Sequence, residues 1–120
     1  AAAAKTYFDN GIVSNFEFNG LSSGASYASG ISFASQADAR QKIAMQVWIA
    51  LFGQGFETWT EWRRTGVPAL TPAVEGAINT VPTRLFYPTT QVSLNKDNYD
   101  TAKGMLNNGD NLDSKLFWTL

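Results

Sequence analysis

Two residue types are missing altogether: the 120-residue chain has no cysteine and no histidine. It therefore builds no disulfide, thiolate nucleophile, Cys/His zinc site or Ser-His-Asp triad. Carboxylate chemistry and oxygen-ligand metal binding survive this exclusion; most other catalytic classes do not. A basic field is missing too. Lys+Arg 9 against Asp+Glu 10 leaves a formal charge of -1. Nothing here would neutralise a phosphate backbone, so nucleic acid is not an expected partner. No apolar run reaches the ~18 residues of a membrane-spanning helix. Four alanines precede Lys5, with no initiator Met and no signal-peptide pattern, so a native start is not expected. The expectation is a fragment lacking its front end, with residues 1–4 unassigned or non-native.

What is present is apolar and aromatic. At 44% hydrophobic and 13% aromatic, the chain has material for one packed core and cannot easily form two domains. The material is concentrated in Ile43 to Gly66, IAMQVWIALFGQGFETWTEWRRTG, which holds three of the four tryptophans and the sole Arg-Arg pair.

Periodicity predicts a mainly α chain. Phe8, Ile12 and Phe16 recur at i, i+4, i+8 across Ala4 to Phe18, and Asn19-Gly20 supplies the stop. Leu21 to Gln36 is small and polar and reads as a loop anchored by Tyr27, Ile31 and Phe33. Tyr27 is a candidate ligand contact, although stapling the loop to the core is the stronger reading. Ser35 or Asp38 can cap the central helix. Its rows Ile43–Val47–Leu51 and Ala44–Trp48–Phe52 predict burial over more than half its circumference. After Gly53 and Gly55 a second helix starts near Phe56. Its Glu57 suits the helix dipole, Glu57 and Glu61 precede Arg64 at pairing distance, and Gly66 and Pro68 end it. The expected pair is a buried helical hairpin.

Beyond it the chain reads as irregular to Val81 and extended through PTRLFYP (Pro82 to Pro88). A helix is expected over Leu94 to Leu106, with Asn95 as N-cap, Leu94 and Tyr99 as a hydrophobic staple, and Met105 among the inward residues. The apolar tail, with Leu116, Phe117, Trp118 and Leu120, reads as packed down.

Chemistry has few places to sit. Glu57 and Glu61, one helical turn apart, could form an acid/base pair, but beside Arg63 and Arg64 they read more simply as an ion-pair network. NGDNLD (Asn108 to Asp113) offers oxygen ligands without the alternating spacing or terminal Glu of a calcium loop, so a capped turn is the better reading. Tryptophans can stack on sugar rings, yet Trp48, Trp59 and Trp62 occupy helical positions among aliphatics and read as core. No metal or cofactor site is assigned.

Taken together, WIALFGQGFETWTEWRRTGVP, RLFYP, SLNKDNYDTA and GDNLDSKLFW, preceded by YFDNGIVSNFEFNG, resemble the C-terminal end of SusD/RagB-like proteins. The resemblance covers nearly the whole chain apart from the alanines and Thr71 to Val81. It implies that residues 1–120 are the C-terminal fragment of a single SusD-like domain, part of a mainly α, tetratricopeptide-type helical protein with long irregular loops. It also implies a lipid-anchored protein on the extracellular face of the outer membrane, binding oligosaccharide without catalysis as the lid of a SusC-type TonB-dependent transporter. The lipid anchor would lie on the missing N-terminus. A peptide-binding member, a carboxylate-dependent glycan hydrolase or its accessory domain, and a purely structural module are the alternatives. Trp48, Phe56, Trp59, Trp62, Arg63, Arg64, Tyr87, Tyr99 and Trp118 read as the structural signature of the region. No catalytic or ligand residue transfers. By itself the segment is expected to expose apolar faces and to aggregate or resist folding.

Overall fold

The computed structural model describes residues 2–119. It has six helices, α1 (Ala2–Phe18), α2 (Gly24–Ser29), α3 (Gln36–Ala50), α4 (Gly55–Thr65), α5 (Thr89–Leu94) and α6 (Lys96–Gly104), and no strand among the described residues. The mainly α expectation holds. The chain divides into two compact units, with the boundary inside α4, between Trp62 and Arg63.

In the first unit α1 packs on α2 and α3. Ile12 is buried at the centre of the Phe8–Ile12–Phe16 row. Gly20, at φ 73, accepts the left-handed geometry that ends α1 without the Cβ clash another residue would meet. The segment expected to be a loop contains α2. Its composition gives little intrinsic helix preference, and packing supplies the rest. A Cβ on Gly24 would lie 2.9 Å from Phe16 Cβ and 3.0 Å from Val13 Cα, so glycine permits the close approach of α2 to α1. Ala28, one turn further on, is buried against the same surface.

Ser35 caps α3: its side chain accepts from the Asp38 backbone N–H at 3.1 Å. Asp38 closes the start from the other side. It accepts from Ala34 N–H at 2.8 Å and from Lys42 Nζ at 2.8 Å. The lysine hydrogen bond, then the backbone one, holds its carboxyl below the ordinary value. The expected wide burial of α3 is not found. Ala44 is its one buried residue, Trp48 is half-buried, and Ile43, Val47, Ile49 and Phe52 are exposed. Among the described residues α1 is the one helix packed against α3.

The buried hairpin also needs correcting. α3 and α4 make no helix–helix packing contact, and α4 contains no buried residue. Gly53, at φ 87, turns the chain, and Gly55 opens α4 instead of breaking it. The turn is pinned by the Thr58 hydroxyl, 2.7 Å from the carbonyls of both Leu51 and Gln54. Phe56 stands largely exposed beyond it, while Trp59 and Trp62 are half-buried.

In the second unit, residues 66–88 lack helix, as the prolines predicted. The single helix expected over Leu94 to Leu106 is two helices, α5 and α6, meeting at Asn95. Asn95 occupies the N-cap position, but its side chain makes no capping bond. It donates to Gln91 Oε1 at 3.0 Å and accepts from Asn98 Nδ2 at 2.7 Å. With the asparagines paired to each other, the backbone bends there. Leu94 and Met105 are exposed, so the staple does not form and Met105 faces out; Tyr99, Ala102 and Leu106 are half-buried as expected. The tail is packed only in part. Trp118 is half-buried, Phe117 is fully exposed, and Leu120 lies outside the described residues.

Candidate functional site

Two places bring sequence-selected residues together. The first is a groove of about 720 Å³ between α1 and α3, with Tyr27 of α2 on its wall. Tyr27 stacks on Phe16 with ring centroids 5.4 Å apart and accepts a hydrogen bond from Gln46 Nε2 at 2.8 Å. Phe33 meets Phe8 edge-on at 5.0 Å. Both aromatics thus tie residues 21–36 to α1, as the stapling reading expects. Tyr27 is also 43% exposed, so its ring edge is open to the groove while its face is committed to Phe16. The walls are mainly aliphatic and aromatic, with Tyr7, Phe8, Ile12, Ile43 and Val47 prominent, and no Asp, Glu, Lys or Arg lines them.

The second place is a polar clamp in the second unit. Arg84 and Asp110 form an ion pair at 2.5 Å with side chains only 7% and 9% exposed. The two sit 26 positions apart, so no local spacing announces them. Asp110 also accepts from the Tyr87 backbone N–H at 3.1 Å and the Tyr99 hydroxyl at 3.2 Å. Burial pushes the Asp110 carboxyl up, but the hydrogen bonds from Arg84, Tyr87 and Tyr99 outweigh it and hold the group below its ordinary value. Tyr99 shifts the other way: burial first, then its bond to the carboxylate, raise the phenol.

Around this pair the rings are ordered. Tyr87 meets Tyr99 edge-on at 5.9 Å, and the Arg84 guanidinium lies 4.8 Å from the Tyr87 ring centre. Thr83 and Arg84 both donate backbone N–H groups to the Leu112 carbonyl, at 2.8 and 3.2 Å. Arg63 reaches the same segment, donating to the Thr83 carbonyl at 3.0 Å, and its guanidinium lies 4.6 Å from the Trp118 ring centre. Ser114 is fully buried and donates to the Gly109 carbonyl at 2.6 Å. Four signature residues, Arg63, Tyr87, Tyr99 and Trp118, therefore serve packing in this unit. Arg84, Asp110 and Ser114 escaped sequence reasoning. The available signal was Arg84 as the one charge inside the proline-bounded PTRLFYP.

NGDNLD forms a turn. Gly109 at φ 61 lets it close, Asn108 Nδ2 donates to Asp113 Oδ1 at 2.8 Å, and Asn111 Nδ2 donates to the Asn108 carbonyl at 2.6 Å. With Asp110 turned to Arg84, its oxygens do not converge, and no group of three acidic ligands gathers among the described residues. Glu57 and Glu61 lie with Phe56, Leu51 and Thr60 around a shallow depression on α4. No helix among the described residues is long and apolar enough to cross a membrane.

The comparisons agree with this arrangement. The family model described as SusD-like, "Susd and RagB outer membrane lipoprotein", matches residues 29–119. A solved structure described as a chitin-binding protein superposes with a TM-score of 0.69 at 29% identity, over 82% of this chain and 22% of its own. The chain thus spans about a fifth of the length of that neighbour. No curated protein matches. The family match extends from the end of α2 through the clamp to Thr119, and on that match the chain belongs to the SusD-like family of outer membrane lipoproteins.

Proposed function

We propose that the chain is the C-terminal part of a non-catalytic glycan-binding protein of the outer membrane. The observation that carries this reading is the SusD-like match over residues 29–119, together with a structural neighbour described as chitin-binding. The chemistry is consistent with it. With no cysteine or histidine in the chain, two carboxylates a turn apart on one helix lack the facing geometry of a glycosidase pair. The polar clamp is spent on structure: its oxygens and donors bond to one another.

In this reading the whole polypeptide sits on the extracellular face, held by a lipid anchor, and closes over a SusC-type TonB-dependent transporter as its lid. The ligand is an oligosaccharide, with peptide as the alternative. Residues 63–119 act as scaffold, and Tyr27 is the candidate for ligand contact.

Isothermal titration of the full-length polypeptide against chitin oligosaccharides, other neutral glycans and peptides tests this. Saturable binding of a glycan without product formation is expected. Binding of peptides alone would replace the ligand class, and turnover of the glycan abolished by Glu57→Gln or Glu61→Gln would overturn the non-catalytic reading.

A further inference from the structure

The chain carries Asn10-Gly11, Asn19-Gly20 and Asn108-Gly109. Such a pair can modify itself: the glycine amide nitrogen reaches the asparagine Cγ, with no Cβ on the glycine to obstruct it. A bond forms from that nitrogen to Cγ, the Cγ–Nδ2 bond breaks, and ammonia leaves with the proton of the glycine N–H. Water then opens the cyclic imide at either carbonyl, giving aspartate or isoaspartate with no oxidant or reductant. All three asparagines are exposed, so access to water does not rank them. The backbone does. Asn10-Gly11 lies inside α1, where the helical ladder holds both the amide and the dihedral angles. At the end of α1, Gly20 N–H donates to the Glu17 carbonyl at 2.9 Å and Leu21 N–H to the Phe16 carbonyl at 2.9 Å. Gly109 N–H is held more loosely, 3.3 Å from the Leu106 carbonyl, just beyond the roughly 2.7–3.2 Å of an ordinary N–H···O bond. The side chains do not reverse this order, since Asn19 and Asn108 each donate at 2.8 Å.

We propose that Asn108-Gly109 is a self-modification site whose conversion to aspartate or isoaspartate loosens the Arg84–Asp110 clamp. In the intact turn Asn108 Nδ2 donates to Asp113 Oδ1 at 2.8 Å. Both products lose that donor. Aspartate sets a second carboxylate against Asp113, where like charges repel. Isoaspartate adds a methylene to the main chain inside a turn that Gly109 closes at φ 61. The same turn holds the Gly109 carbonyl to the Ser114 hydroxyl at 2.6 Å, and Asp110 follows it directly. A displaced turn therefore moves the carboxylate that Arg84, the Tyr87 N–H and the Tyr99 hydroxyl share. The inference is independent of which ligand the protein binds.

Ageing the full-length polypeptide in mildly alkaline buffer tests it, with each pair followed by peptide mass spectrometry that resolves isoaspartate. Asn108 should convert at least ~10-fold faster than Asn10, whose reaction waits on local opening of α1, and faster than Asn19. In denaturant the ranking should vanish. Hydrogen exchange in residues 82–88 and 108–114 should accelerate in the aged protein, and from the outset in Asn108→Asp. Aged Asn108→Gln, whose longer side chain closes the ring far more slowly, should show neither conversion at 108 nor the acceleration. Asn108 converting no faster than Asn19 or Asn10 would overturn the site. So would a ranking that persists in denaturant, which means neighbouring sequence and not the turn sets the rate. Unchanged exchange in the aged protein after conversion at 108 would overturn the effect on the clamp, and this reading stands even where a variant fails to fold.

Discussion

The two units are held by different forces. The first, ending at Trp62, is fastened by apolar and aromatic contacts around Ile12, Phe16 and Ala28, and keeps an open apolar groove. The second, from Arg63, has no buried apolar residue among those described; its buried side chains are Arg84 and Ser114, and its order comes from hydrogen bonds converging on Asp110 and Leu112. Apolar burial is non-directional, so the first unit tolerates approximate fit and can take a further surface on its open face. A buried ion pair is directional and costly to break, so it fixes one arrangement of one irregular segment. The contrast explains how a stretch with little helix can still be specific in shape.

Breaking the clamp should have the largest effect. Asp110→Ala in the full-length polypeptide leaves the Arg84 guanidinium buried without its carboxylate, a loss of roughly 3–5 kcal/mol. Denaturant titration should show it, with hydrogen exchange accelerated in residues 82–88 and 108–114. A loss below ~1 kcal/mol would mean the pair is solvated and equivalent to a surface bridge. On the apolar side, Ile12→Ala removes the buried centre of α1 and should cost roughly 2–5 kcal/mol, depending on how far the site collapses. If the larger loss came from Ile12, the ranking of the two forces would reverse.

Gly24→Ala sharpens the same side. The added methyl must displace Phe16 or Val13, and a destabilisation of about 1–3 kcal/mol is expected from overpacking. An unchanged melting midpoint would show that α2 can shift freely on α1. The smallest of these effects belongs to Ser35→Ala, which removes the α3 cap and should cost ~1 kcal/mol. Faster amide exchange should be confined to the first turn of α3.

The sequence made the long local elements readable. The α1 row, the Ser35 cap and the stops at Gly20 and Gly66 all depend on residues within a turn or two of one another. Three other features depend on partners far along the chain. α2 is a helix because Gly24 and Ala28 fit against α1, which GASYAS alone does not disclose. The break at Asn95 comes from side chains that bond to each other when a cap was expected. The clamp joins Arg84 to Asp110 across 26 positions, where periodicity carries no information. The burial expected for Ile43, Val47 and Phe52 was correct about their chemistry but not about their surroundings within this chain. Tyr27 was legible as an anchor, and its stack on Phe16 follows from the same aromatic row.

The claim that the Asp110 carboxylate holds the second unit is tested most directly by the pH dependence of its stability. Because the folded pKa lies below the ordinary carboxylate value, the carboxylate's contribution is present above about pH 4 and is lost as pH falls through the folded value. Denaturation of the full-length polypeptide between about pH 6 and about pH 2 should show stability declining with acid. In Asp110→Asn, where no proton can bind, the part of that decline due to residue 110 should disappear, leaving a shallower slope from a lower starting stability. Parallel slopes for the two proteins would contradict the account.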